Sequence, residues 1–120
     1  MLKKANSDLA SGTSLSGYLH APRWLVERVF GEPHYKMSGD DKVTASWAFI
    51  IKGKVITIYD YKMGSAADSP KFSEWHLGSH TRNAIPALFE YLSTEMELDV
   101  SMDPDSLYPT ICVDVSEIER

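Results

Sequence analysis

Two alternating runs, Val43 to Ile51 and Lys54 to Lys62, stand either side of Lys52-Gly53 and give the chain its clearest pattern. A period of two marks a strand with one buried face, and a glycine in a two-residue connection supplies the positive φ of a tight turn. The spacing therefore predicts a β-hairpin with Ile51 opposite Lys54, Phe49 opposite Ile56, Trp47 opposite Ile58 and Ala45 opposite Asp60. That face is nearly all core. The other face pairs Ser46 with Tyr59, Ala48 with Thr57 and Ile50 with Val55, a mixed surface suited to half burial. A slip of one residue would exchange the two faces, so the side on which Asp60 falls depends on this turn.

Elsewhere the pattern alternates between strand and helix. Ser14 to His20 reads as a short strand, in which Gly17 would either weaken the middle or allow another backbone to approach closely. Ala21 to Gly31 reads as a short helix: Pro22 is tolerated at its start, Gly31 can cap it, and Leu25, Val26, Val29 and Phe30 form an apolar stripe. Gly64 to Pro70 has no periodicity and is expected to be an exposed, mobile loop. Phe72 to Leu77 predicts a further strand ending at Gly78. Ile85, Leu88, Phe89, Leu92 and Met96 then predict a second helix, whose cap belongs near Asn83 because Pro86 must lie in the first turn. Asp103 to Ser106 reads as a turn and Tyr108 to Val115 as a last strand. The order predicts an α+β fold, a small antiparallel sheet around a central hairpin with two helices on one face.

Residues 1–13 are polar and poor in apolar positions, which predicts a mobile N-terminal arm leading into a single domain over 14–120. At 120 residues, with 43% apolar and 24% charged, the chain is long enough to close a core without a metal or disulfide. Its one cysteine, Cys112, excludes an internal disulfide and, in the run Thr110-Ile111-Cys112-Val113, is expected to be a small buried thiol. No apolar stretch is long enough to span a bilayer, and the charged start lacks the apolar middle of a signal sequence. A reducing cytoplasmic location is the expectation.

Charge is unevenly distributed. Residues 1–94 hold eleven Lys or Arg against nine Asp or Glu, whereas 95–120 hold one basic against eight acidic side chains. A C-terminal segment with that balance disfavours direct contact with DNA or RNA, whose binding needs several cations on phosphate. It suits a partner protein with a basic surface, the alternative being a solvated tail.

Catalytic signatures are absent. A carboxylate–imidazole pair of Asp60 and His76 is conceivable for acid–base work, but nothing in the spacing brings them together. His76 and His80 are four apart, which aligns ligands only on a helix, and Gly78 between them argues against one, so no metal or other cofactor is expected. The serines lack a nucleophile-elbow context and the glycines do not space a phosphate loop. Trp24, Phe30, Trp47, Phe49 and Phe89 fall on core faces. Tyr18, Tyr59, Tyr61 and Trp75 combine apolar area with a polar tip and are candidates for a contact patch or the lining of a cleft, with Asp60, Lys62 and His76 fixing a polar group.

Three blocks also resemble a family of small viral proteins found mainly in tailed phages. They are Gly12-Thr13-Ser14-Leu15-Ser16-Gly17-Tyr18 with a helix ending Phe30-Gly31-Glu32-Pro33, then Ala45-Ser46-Trp47 through Ile58-Tyr59-Asp60-Tyr61-Lys62, and Trp75-His76-Leu77-Gly78. The resemblance covers about residues 12–92; it implies a viral origin and transfers no catalytic residue. The acidic stretch after residue 94 and Pro86 depart from the family's pattern. A small viral protein without an enzyme signature is expected to act by binding, as an inhibitor of a host defence component, an anti-CRISPR-like role being one form. Asp99, Asp103 and Asp105 with exposed Tyr or Trp side chains would dock on the basic partner. The alternative expectation is a protein that sequesters a small ligand such as a nucleotide signal, using Tyr59, Asp60, Lys62, Trp75 and His76. A homodimer through an uncovered hairpin edge is a further expectation, with Lys42, Lys52 and Lys54 placed to blunt it.

Overall fold

The computed structural model describes residues 2–36, 42–103 and 107–119. The hairpin forms as the pattern requires. Strands β4 (Ala45–Ile51) and β5 (Lys54–Tyr59) pair antiparallel with Ile51 opposite Lys54, Phe49 opposite Ile56 and Trp47 opposite Ile58. Lys52 and Gly53 both take positive φ, 51° and 77°, the conformation that matches the twist of the flanking strands.

Around this hairpin the described residues build an eight-stranded sheet, larger than the small one expected. Its other strands are β1 (Lys3–Lys4), β2 (Ser14–His20), β3 (Tyr35–Lys36), β6 (Glu74–Ser79), β7 (Asp99–Met102) and β8 (Thr110–Asp114). The order is β1-β4-β5-β6-β2-β8-β7, with β3 also paired to β4. All pairs are antiparallel except β2 with β8, so the sheet is mixed, not purely antiparallel. The reason is connectivity: β8 returns beside β2 after the chain has crossed the sheet, and a non-local return of that kind can run in either direction.

Helices α2 (Arg23–Phe30) and α3 (Ala84–Glu90) bury Leu25, Val26, Phe30, Ile85 and Leu88 in the core that covers one face of the sheet. Gly31 caps α2 with φ 84°, and Asn83 precedes α3 with Pro86 in its first turn. A π-helical turn, Tyr91–Glu95, continues α3. Two indoles fix α2 to the sheet: Trp75 Nε1 donates to Ala21 O (2.9 Å) before the helix and Trp47 Nε1 donates to Gly31 O (2.8 Å) after it. The two rings meet edge to face, their centroids 5.3 Å apart.

Several expectations are corrected. Residues 2–13 do not form a free arm: β1 pairs with Phe49 and Ile50, Ala5 N donates to Ala48 O, Ala5 is fully buried, and Ser7–Ala10 forms helix α1. Its pairing is with backbone, which a polar sequence does not advertise. The edge of β4 is thereby occupied by β1 and β3, which removes the hairpin edge as a route to dimerisation. Gly64–Asp68 is a 3₁₀ turn that buries Ala67, with Arg23 donating to Ala67 O. Cys112 is exposed, because Ile111 takes the inward position on β8 and alternation turns its neighbour out. The acidic C-terminal segment supplies two strands of the sheet, β7 and β8.

Candidate functional site

One sheet face carries the core; the other gathers polar and aromatic side chains into cross-strand rows. Residues directly opposite one another share a face, so the register fixes the rows. Tyr59 on β5, His76 on β6, Tyr18 on β2 and Thr110 on β8 form the first. Two positions along, Glu74, His20, Cys112 and Ser101 form the second. Asp114 and Asp99 face each other in the third. The face therefore grades from aromatic to acidic.

Two glycines allow this arrangement. A β-bulge at Leu15 to Gly17 resets β2 so that Tyr18 comes opposite His76. A Cβ on Gly17 would stand 2.6 Å from Pro109 O, which accepts from Tyr18 N (2.9 Å), so the close approach of the chain leading into β8 requires glycine there. At Gly78, a side chain would collide with the Thr57 hydroxyl beside Tyr59.

His76 stands at the centre. Its ring lies 5.2 Å from Tyr18 edge to face, 5.5 Å from Tyr59, and 5.5 Å from Tyr61 in a near-parallel stack. Burial holds its pKa below the ordinary imidazole value against the opposing pull of the Asp60 carboxylate, which favours a neutral ring. Burial also raises the Tyr59 pKa, helped by Tyr18 and Tyr61, and keeps that phenol protonated. Tyr108 extends the cluster 6.4 Å from Tyr18, with the Arg82 guanidinium 5.9 Å above its ring.

A cleft of about 380 Å³ opens beside this cluster. Tyr18, Tyr61 and His76 line it together with Glu74, Ser73 and Thr110; Met63 and His20 complete the rim, and the buried Leu19 and Trp75 lie at its back. That volume falls in the range of small-ligand sites. Among the described residues no Lys or Arg lines it.

Of the candidate residues, Tyr18, Tyr59, Tyr61 and His76 are brought together. Lys62 is next to them, its ammonium 5.3 Å from the Tyr61 ring. Asp60 and Trp75 are not part of the exposed cluster. Asp60 is fully buried and accepts from Thr44 N (2.9 Å), Thr44 Oγ1 (2.8 Å) and Ala45 N (2.9 Å), tying the start of β4 to the end of β5. Its place follows from the hairpin register, which turns it to the core side, and no hydrogen bond joins it to His76 among the described residues. Trp75 is 1% exposed and packs on Trp47 and Phe72, since it alternates with His76 on β6. Asp99 and Asp103 are exposed at and just beyond β7; Asp105 lies outside the described residues.

Sequence reasoning missed Glu74, His20, Thr110 and Asp114 as members of this face. Alternation along each strand was available, but their alignment depends on the β6-β2-β8 order, for which no local signal exists. Asp114 accepts from Ser116 N (2.9 Å), and that bond, with one from the Ser116 hydroxyl, lowers its pKa and keeps the acidic end of the face ionised. His80 is held apart, Nε2 against Leu9 O at 2.7 Å, and no group of three or more metal-ligating side chains forms among the described residues. Comparison with protein families, curated proteins and solved structures finds no match.

Proposed function

We propose that this chain is a binding protein whose recognition surface is the tyrosine–histidine face with its acidic margin, and that its partner is a protein presenting a basic surface. One observation carries the reading: Glu74, Asp114 and Asp99 lie on the same side of the sheet as Tyr18, Tyr59, Tyr61 and His76. Tyrosines supply contact area at low entropic cost and dominate interfaces when desolvated. Carboxylates around them steer a cationic partner and repel an anionic one. The resemblance of three sequence blocks to tailed-phage proteins supports reading the chain as a viral accessory protein of the host cytoplasm that inhibits a host defence component, with an anti-CRISPR-like role as one form.

The cleft beside His76 supports a second reading, a small-ligand site. Its rim carries Glu74 and no cationic side chain among the described residues, which counts against a nucleotide, whose phosphates require positive partners. A ligand taken there would be neutral or cationic.

Charge reversal tests the first reading. With the partner captured from the native host and purified, Asp99→Lys with Asp114→Lys is expected to weaken binding by at least about tenfold at low salt and to flatten its salt dependence. Unchanged affinity and slope, in a variant shown to be folded, would contradict it.

A further inference from the structure

We propose that the cleft between Tyr18, Tyr61 and His76 is a receptor for the guanidinium of an arginine side chain presented by the basic partner. The proposal rests on the reading of this face as a partner surface and specifies the group that anchors it. Three features of the cleft point to that group. Its walls are aromatic: Tyr61 and His76 lie nearly parallel, and Tyr18 stands perpendicular to His76, so an incoming planar cation meets π faces. The Tyr61 ring already has a cation beside it in the chain's own Lys62 ammonium, 5.3 Å away.

The second feature is charge. Glu74 is exposed at the mouth and has no ion-pair partner among the described residues, while no Lys or Arg lines the cleft. A guanidinium entering there meets an uncompensated carboxylate, and the Lys62 ammonium beside Tyr61 sits on a long, exposed side chain that must swing away into solvent to admit it. The third is the supply of acceptors. Guanidinium offers five donors in a fixed plane and no acceptor. Ser73 Oγ gives its proton to Lys71 O (2.8 Å), which leaves its lone pairs free to accept, and Glu74 offers two oxygens beside it. A quaternary ammonium needs rings on every side and has no use for those acceptors. A volume of about 380 Å³ holds one long side chain with its head group. Asp99 and Asp114, farther along the same face, would meet further basic residues of the partner.

The test is an NMR titration of the full-length protein with N-acetyl-arginine amide, following the His76 and tyrosine ring signals. N-acetyl-lysine amide, tetramethylammonium and adenosine monophosphate serve as comparison ligands. Saturable shifts at His76, Tyr18 and Tyr61 are expected for the arginine derivative, with weaker binding of the other three. Glu74→Gln and Tyr61→Ala, both at exposed positions, should each weaken it by about tenfold while leaving the thermal unfolding midpoint in place. Absence of saturable shifts, equal affinity in Glu74→Gln, or tighter binding of tetramethylammonium or the nucleotide would each overturn the proposal. A purified partner that still binds with its usual salt dependence to Glu74→Gln and Tyr61→Ala would overturn the arginine anchor and leave the docking face standing. Loss of salt-dependent binding only in the Asp99/Asp114 variant would locate the failure in the same way.

Discussion

His76 illustrates how a single side chain couples the fold to its surface. It is on the solvent-side face yet ringed by three tyrosines, and burial lowers its pKa from the ordinary value near 6.5. His34 shifts in the same direction through burial and the Lys4 charge. With a folded pKa below the unfolded one, the unfolded chain binds more protons as the pH falls past 6.5, so stability is full above that value and declines below it. Chemical denaturation between about pH 7 and pH 5 should show this decline, with His76→Gln removing part of it; a flat profile in both proteins would contradict the burial argument. Tyrosine was legible as a surface candidate because its two-sided chemistry is a property of the residue. Asp60 and Trp75 were read as binding residues because a carboxylate and an indole N–H suggest contact with a ligand or a partner, although the hairpin register already turned Asp60 to the core face. In the fold, their polar atoms are satisfied internally: Asp60 accepts from the Thr44 and Ala45 amides and the Thr44 hydroxyl, and the Trp75 N–H donates to the Ala21 carbonyl.

Among the secondary-structure elements, the hairpin was readable to the register because two-residue turns fix pairing locally, and α2 was readable because proline and glycine mark its ends. Strand β7 was missed although Leu98, Val100 and Met102 alternate with Asp99, Ser101 and Asp103; the run of acid drew the reading towards a solvated tail. The attachment of α2 by two indoles could not be read at all, since it joins residues 16 and 54 positions apart. It makes an ordered prediction. Trp75→Phe keeps most of the ring but leaves the Ala21 carbonyl unpaired in a buried setting, a loss of about 2–3 kcal/mol of stability. Trp47→Phe opens a similar cavity but leaves the exposed Gly31, whose carbonyl water can reach, and should cost about 1 kcal/mol less than Trp75→Phe. Urea unfolding of both variants checks the order; equal losses, or a larger one for Trp47→Phe, would show that the hydrogen bonds are not what distinguishes the two sites.

Assembled, the sheet sorts its two sides by chemistry: helices α2 and α3 with the core on one, aromatic and acidic rows on the other. The α+β class followed from the order of strands and helices, but the mixed sheet did not, because the β2–β8 pairing is made between segments about 90 residues apart and leaves no periodic trace. That pairing is what brings Thr110, Asp114 and Asp99 into line with Tyr18 and His76, so the functional face is a product of topology more than of any motif. Hydrogen–deuterium exchange of the protein alone and bound to its purified partner locates the contact directly. Protection is expected on residues 18–20, 59–62, 74–76, 99–102 and 110–114, with exchange in α2 and α3 unchanged. Protection confined to the outer surfaces of α2 and α3, with the tyrosine–histidine rows exchanging as in the free protein, would contradict the account.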